Sequence, residues 1–218
     1  MKFINIHTHQ YSAQENVLEI VNQYPNEFDE TIPNYSIGIH PWHINIEDLE
    51  AHLQIITEKL QSNNCLALGE CGLDKRIETS IDLQIEIFKK QLSLIANMKK
   101  PIILHCVAAY QEVIEIKKEM KIDNPMVIHG FSKNKQIAKQ LLDNGFYLSF
   151  GKHLLVDQDL AEVLKYVPYD RFFLETDTKT DQLLLIYNLA AQHKNINLEE
   201  LKRIVNENFD SVFKNKLV

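Results

Sequence analysis

Several features that mark secreted, fibrous or membrane proteins are scarce in this chain. Glycine and proline occur six times each in 218 residues, too rarely for a fibrous repeat or a low-complexity linker. Cysteine occurs three times, as Cys65, Cys71 and Cys106, an odd set without CxxC spacing. That fits buried thiols in a reducing compartment better than a disulfide framework. The first residues carry one lysine and turn polar at His7 and Gln10, so the apolar stretch and small-residue cleavage site of a signal peptide are not expected. No apolar run approaches the length of a membrane span, since even PIILHCVAAY contains a histidine, and no membrane contact is expected. The expected location is cytoplasmic. Cations are also in deficit: 23 Lys and Arg stand against 30 Asp and Glu, for a formal net charge of −7. This balance argues against a stable nucleic-acid-binding face. The lysine pairs at 89–90, 99–100 and 117–118 fall late in helical patterns or just past them, where cations complement the helix dipole.

What is present is an ordinary apolar fraction of 45% and enough length for a single domain, 1–218, with a sizeable core. Short apolar runs alternate with amphipathic stretches. FINIHTH, YSIGIH, CLALGECGL, PIILHC, PMVIHG, FYLSFG and RFFLET read as buried strands. Between them Leu49, Leu53, Ile56 and Leu60, and then Ile81, Ile85, Phe88, Leu92 and Ile95, recur every three or four residues, the spacing of one-sided helices. Further helices are predicted at about 108–120, 133–144, 157–166, 182–193 and 198–214. A strand followed by a helix, repeated, implies right-handed crossovers and a parallel sheet, open or closed into a barrel. Seven strands are clear. An eighth unit, uncertain or trimmed, falls near residues 12–30, where NVLEIVNQYP fits a strand or a short helix.

The strands share one peculiarity, which lies at their ends. His7 and His9 in HTH are two apart and so point to one face of a strand. Glu70 falls near the end of its strand, His105 and His129 end theirs, and Glu175 and Asp177 close the last. In parallel βα architectures the βα loops converge at the carboxyl ends of the strands, and active sites assemble there. Carboxylates buried among apolar strand residues without cations would cost several kcal/mol each. Metal ions would supply the compensation. Four imidazoles and two carboxylates exceed one tetrahedral site but suit two divalent ions with Glu70 as a shared bridge. Such donors admit Zn, Mn, Mg, Co or Ni. Two ions against two carboxylates leave the pocket at about +2, so an anionic substrate could bind without a basic surface.

In order and spacing, HTH at 7–9, GIHPWH at 38–43, GECGLD at 69–74, His105, VIHGF at 127–131, SFG at 149–151 and LETD at 174–177 resemble the TatD-related metal-dependent hydrolases. The resemblance implies a TIM-type (β/α) barrel of the amidohydrolase kind and a deoxyribonuclease or phosphodiesterase activity, with DNA or a small phosphodiester as substrate. It also implies that His7, His9, Glu70 and Asp177 hold one metal while Glu70, His105 and His129 hold the other. Asp177 stands where the family places the carboxylate that orients or deprotonates the attacking water. Two departures bear on substrate range. Cys106 and Val107 follow His105 where many members have a small residue and then Arg, and Thr178 and Lys179 follow Asp177 where Ala or Cys and then Pro are frequent. Lys179 is a candidate replacement charge.

Four further residues are candidates for touching substrate or supporting the ligands from behind: His40, Asp74, Glu175 and Lys179. Trp42 and His43 are expected in the pocket wall, His153 near it, and His52 and His193 on helix surfaces. Cys71 and Cys106 directly follow proposed ligands, so strand alternation turns them into the core as inert thiols. No GxSxG or Walker-type loop calls for a serine nucleophile or a nucleotide cradle. Two other functions share the same residues: an amidohydrolase-type enzyme acting on an amide, lactone or cyclic C–N substrate, and a non-catalytic metal-binding scaffold.

Overall fold

A computed structural model describes residues 1–179 and 182–214. Eight strands form one sheet in the order of the sequence: β1 Phe3–Thr8, β2 Val17–Gln23, β3 Tyr35–Ile37, β4 Cys65–Asp74, β5 Ile102–Val107, β6 Met126–Ile128, β7 Phe146–Phe150 and β8 Phe172–Leu174. Every neighbouring pair from β1 through β8 is parallel. Among the described residues, seven α-helices alternate with or follow them: α1 Leu49–Lys59, α2 Ile81–Leu94, α3 Tyr110–Glu119, α4 Lys135–Asp143, α5 Gln158–Tyr166, α6 Leu183–Lys194 and α7 Leu198–Phe213. This is the expected TIM-type barrel. None of these helices is long and apolar enough to cross a membrane.

Local chemistry sets several boundaries. Ser80, Asn134, Asp157 and Asn197 each accept a backbone N–H in the first turn of the helix that follows, satisfying donors that the helix itself cannot. Helix α6 ends at Asn195 in the left-handed conformation, φ 55°, which Asn tolerates better than most residues. The inner faces of the strands and the apolar stripes of the helices merge into one core that includes Ile6, Ile37, Leu68, Leu104, Phe150 and Phe172.

The stretch that fits two readings is a strand. Val17, Leu18, Ile20 and Val21 favour extended backbone, and β2 pairs with β1 at Phe3↔Val17 and with β3 at Val21↔Tyr35. Glu19, Ile20, Val21, Asn22 and Gln23 are all buried, so the alternation that identifies a half-exposed strand is absent. The crossover helix that should follow is reduced to a single 3-10 turn, Pro25–Glu27. The eighth strand is therefore present, and its helix is what has been trimmed.

Closure between β8 and β1 combines side-chain and backbone hydrogen bonds. The backbone N–H of Ile4 donates to the Tyr187 hydroxyl at 3.0 Å, which donates in turn to the Ile4 carbonyl at 2.9 Å. One residue further, the Asn5 amide donates to Thr176 Oγ1 at 2.9 Å and accepts from the Thr176 N–H at 3.0 Å. At the top, Asp177 N–H donates to the His7 carbonyl at 3.1 Å and His9 N–H to the Asp177 carbonyl at 3.0 Å, forming the bridge between Thr8 and Asp177. The closure thus ties the backbone of HTH to that of Asp177.

Candidate metal centre

Glu70 lies at the middle of the converging side chains and is buried. Strand β4 is shaped to present it. A Cβ at Gly69 would stand 2.4 Å from the Ile103 carbonyl oxygen, and one at Gly72 would stand 2.1 Å from that of His105. Both glycines have φ near +139°, where side chains are rarely accommodated. The register between β4 and β5 shifts between Leu68 and Cys71, the kind of irregularity that re-aims a side chain. Asn22 on β2 accepts the Glu70 N–H at 2.6 Å, so the strand without clear alternation helps to hold this carboxylate in place.

The two oxygens of Glu70 face two different groups. Oε2 lies 3.3 Å from His7 Nε2 and 3.6 Å from His9 Nε2. His9 Nε2 in turn lies 3.4 Å from Asp177 Oδ1. Oε1 lies 2.9 Å from His105 Nδ1, 2.8 Å from His129 Nε2 and 3.1 Å from His40 Nε2. All six residues expected as ligands are therefore brought together. His40 joins them more closely than a substrate contact would require, forming with Glu70 and His105 one of three groups whose donor atoms lie within 4.8 Å of one another. The other two are His7, Glu70 and His129, and His7, His9 and Asp177.

The donors suit a cation better than they suit one another. His7 is fully buried, and among the described residues neither of its ring nitrogens has a hydrogen-bond partner. Its approach to Glu70 is close in distance but lacks hydrogen-bond geometry. Buried polar atoms are rarely left in this condition. A divalent ion among His7, His9, Glu70 and Asp177 would satisfy both the imidazole and the carboxylates.

Electrostatics point the same way. Burial alone would raise the Glu70 carboxyl, but the imidazoles of His129 and His7 and hydrogen bonds from His105 and His129 hold it well below the usual carboxylate range. Burial lowers His129, yet Glu70 and Glu175 outweigh it and draw the ring well above the ordinary histidine value. His40 is pushed down, chiefly by burial. For Asp177, burial is opposed by hydrogen bonds from His9 and Lys152, and the carboxyl is depressed. The cluster keeps its carboxylates ionised with positive charge gathered around them, the balance that divalent cations would supply.

Support from behind is uneven. Asp74 Oδ2 lies 3.1 Å from His105 Nε2 and also accepts the Trp42 indole N–H at 2.8 Å. Glu175, fully buried, lies 3.3 Å from His129 Nδ1 and accepts the Gly130 N–H at 2.7 Å. Carboxylates so placed orient an imidazole and raise its basicity. His9 Nδ1 has the Tyr24 hydroxyl at 3.4 Å, a group pushed up to about 12 by burial and by Glu70. Asp177 adopts φ 55°, a conformation costing on the order of 1–2 kcal/mol for an L residue. The two backbone hydrogen bonds to the HTH segment hold it there.

The remaining expectations divide. His43 is exposed and packs edge-on against Tyr24 with ring centroids 5.2 Å apart. His52 and His193 are half-buried helix positions, and among the described residues His153 contributes only backbone hydrogen bonds. Cys71 and Cys106 are unpaired and buried, and burial pushes the Cys106 thiol up to about 12. Lys179 is exposed and bonds only through its backbone among the described residues. Lys152 is the cation beside the centre, donating to Asp177 Oδ2 at 2.8 Å with Thr178 Oγ1 3.4 Å away. It follows SFG at the end of β7, so the strand-end rule that singled out the histidines would also have found it. Beside His9 opens a cleft of about 640 Å³, lined by Gln10, Tyr11, Asn22, Tyr24, Glu27 and Asp29 among others, with no Lys or Arg.

Known proteins share both sequence and fold. The family model described as TatD related DNase matches residues 1–214. The metal-dependent hydrolase YcfH of Escherichia coli K12 is 31% identical over 201 residues, covering 82% of this chain and 73% of its own. The metal-dependent hydrolase YabD of Bacillus subtilis is 29% identical over 196 residues, covering 82% and 76%. The crystal structure of the TatD homologue YjjV from Escherichia coli K12 superposes with a TM-score of 0.84 over 98% of each chain at 20% identity. A sequence match along nearly the whole chain thus coincides with a buried cluster of metal-ligand residue types, and the chain belongs to the TatD-related DNase family as a metal-dependent hydrolase.

Proposed function

We propose that the chain hydrolyses phosphodiester bonds, in DNA or in a small phosphodiester, with two divalent ions that share Glu70. The observation that carries this reading is the division of the Glu70 carboxylate. Oε2 faces His7 and His9, with Asp177 beyond, while Oε1 faces His105, His129 and His40. A carboxylate that served one ion would not need imidazoles gathered around both of its oxygens.

When bound, the ions supply Lewis acidity, lowering the pKa of water toward neutrality and offsetting charge on the phosphoryl oxygens. Asp177 orients the attacking water and accepts its proton. His9 and Lys152 keep its carboxyl depressed, so Asp177 stays ionised and able to take up that proton. Lys152 fixes the free oxygen of Asp177 and adds positive charge at the mouth. Asp74 and Glu175 hold His105 and His129 in orientation. No side chain need act as a nucleophile. A cytoplasmic setting belongs to this reading and rests on the three buried free thiols.

The test is hydrolysis of a model phosphodiester and of short single-stranded DNA by metal-stripped protein to which Zn, Mn, Mg, Co or Ni is returned. Metal-dependent cleavage by the wild type, abolished in Glu70→Ala and Asp177→Ala, is expected. Protein that binds its metals but cleaves neither substrate would overturn the phosphodiester reading and direct attention to amides and lactones.

A further inference from the structure

Trp42 is the only tryptophan in the chain, and its side chain is spent on the surface. It is 60% exposed, so it contributes little to the core. It is nevertheless held in place. Its indole N–H donates at 2.8 Å to Asp74 Oδ2, the same oxygen that lies 3.1 Å from His105 Nε2. Its backbone N–H donates at 3.1 Å to His40 Nδ1. The indole meets the His40 and His105 rings at 89° and 74°, with centroids 5.1 and 5.8 Å away. Neither imidazole is therefore stacked on its face. The result is a flat, largely uncovered aromatic plate whose position is fixed to two residues that face Glu70.

We infer that Trp42 is a stacking platform for an unpaired nucleobase, or a comparable flat ring, on the substrate next to the scissile phosphate. This deepens the phosphodiesterase reading, on which it rests. Base faces stack on exposed aromatic side chains whatever their sequence, and a plate tied to His105 keeps a constant offset from the reacting centre. A series of rings continues from it: His40 to His43 at 5.6 Å and His43 to Tyr24 at 5.2 Å. The series leads to the cleft beside His9, where Gln10 and the half-exposed Tyr11 offer amide and phenol groups to base edges. Glu27 and Asp29 in that cleft disfavour further phosphates there. The substrate so described is a nucleotide or the end of a single strand, with its phosphate at the ions and its base on Trp42.

Having one tryptophan makes the test direct. Zinc-loaded full-length protein is titrated with deoxyadenosine monophosphate and, separately, with ribose 5-phosphate, which carries a sugar phosphate and no base. Indole fluorescence is followed in the wild type, and calorimetry in the wild type, Trp42→Ala and Trp42→Phe. The nucleotide is expected to quench the fluorescence and ribose 5-phosphate to leave it unchanged. Nucleotide affinity should fall about 10-fold in Trp42→Ala and be largely kept in Trp42→Phe, while ribose 5-phosphate binds all three proteins alike. Should Trp42→Ala fail to retain zinc, the Phe variant and the wild-type quenching decide. Equal loss of both ligands, absence of quenching, or a Phe variant as weak as the Ala variant would overturn the platform and assign Trp42 to holding Asp74. Cleavage of the model phosphodiester separates the two claims. Turnover without base-selective binding removes the platform alone, and base-selective binding without turnover supports the platform and removes the phosphodiesterase reading.

Discussion

The two sides of Glu70 are built differently. On the Oε1 side, His105 and His129 each have a buried carboxylate behind them, Asp74 and Glu175. On the Oε2 side, among the described residues, neither ring nitrogen of His7 has a hydrogen-bond partner, His9 has the Tyr24 hydroxyl, and Asp177 is partly exposed and tied to a half-exposed lysine. Imidazoles backed by carboxylates are oriented in advance and bind a cation more tightly. A side held by backbone hydrogen bonds at the β1–β8 closure, and open to solvent, is suited to admitting water and substrate. On the proposed two-ion reading, the difference teaches that one half of the centre is arranged for retention and the other for reaction.

Substituting the shared residue should have the largest effect. Glu70→Gln is expected to reduce bound metal below one equivalent and turnover by roughly 10³-fold or more, measured by elemental analysis and by the phosphodiester assay. Asp177→Asn should separate the halves, lowering turnover about 10²- to 10⁴-fold while the Oε1 side still retains an ion in equilibrium dialysis. If Asp177→Asn empties both halves together, the contrast between them is wrong. Asp74→Asn or Glu175→Gln should weaken the tighter ion about 10- to 100-fold, an effect that metal-chelator competition would show. Lys152→Met should cost about 10-fold in kcat, as loss of a partly screened charged contact, with metal content unchanged. Tyr187→Phe should leave turnover at 25 °C unchanged. It strands the Ile4 backbone groups inside the β1–β8 closure, so thermal unfolding should show a loss of about 1–3 kcal/mol.

The same contrast explains what could be read from the sequence. Strands β1 and β3 through β8 and all seven helices are legible because each is an apolar run or a one-sided stripe of ordinary length. Strand β2 is not, because Glu19, Asn22 and Gln23 are buried as fully as Ile20 and Val21, and the pattern loses its alternation. The ligand set is legible because His and carboxylate residues recur at one end of successive strands. Placing His40 directly against Glu70 required the turn at Pro41–His43, whose path no periodicity predicts. Lys152 lies where the strand-end rule points, just past β7, although an isolated lysine ordinarily signifies solvent. The left-handed backbone at Asp177 had no sequence signal at all, because a glycine would have announced it and an aspartate does not.

The central claim is that Glu70 joins two ions. Manganese-loaded wild-type protein examined by metal analysis and electron paramagnetic resonance tests it most directly. Two equivalents of manganese with an exchange-coupled signal, replaced in Glu70→Gln by weakly held, magnetically isolated ions, are the predicted result. A single equivalent giving an isolated six-line signal in the wild type would contradict the account.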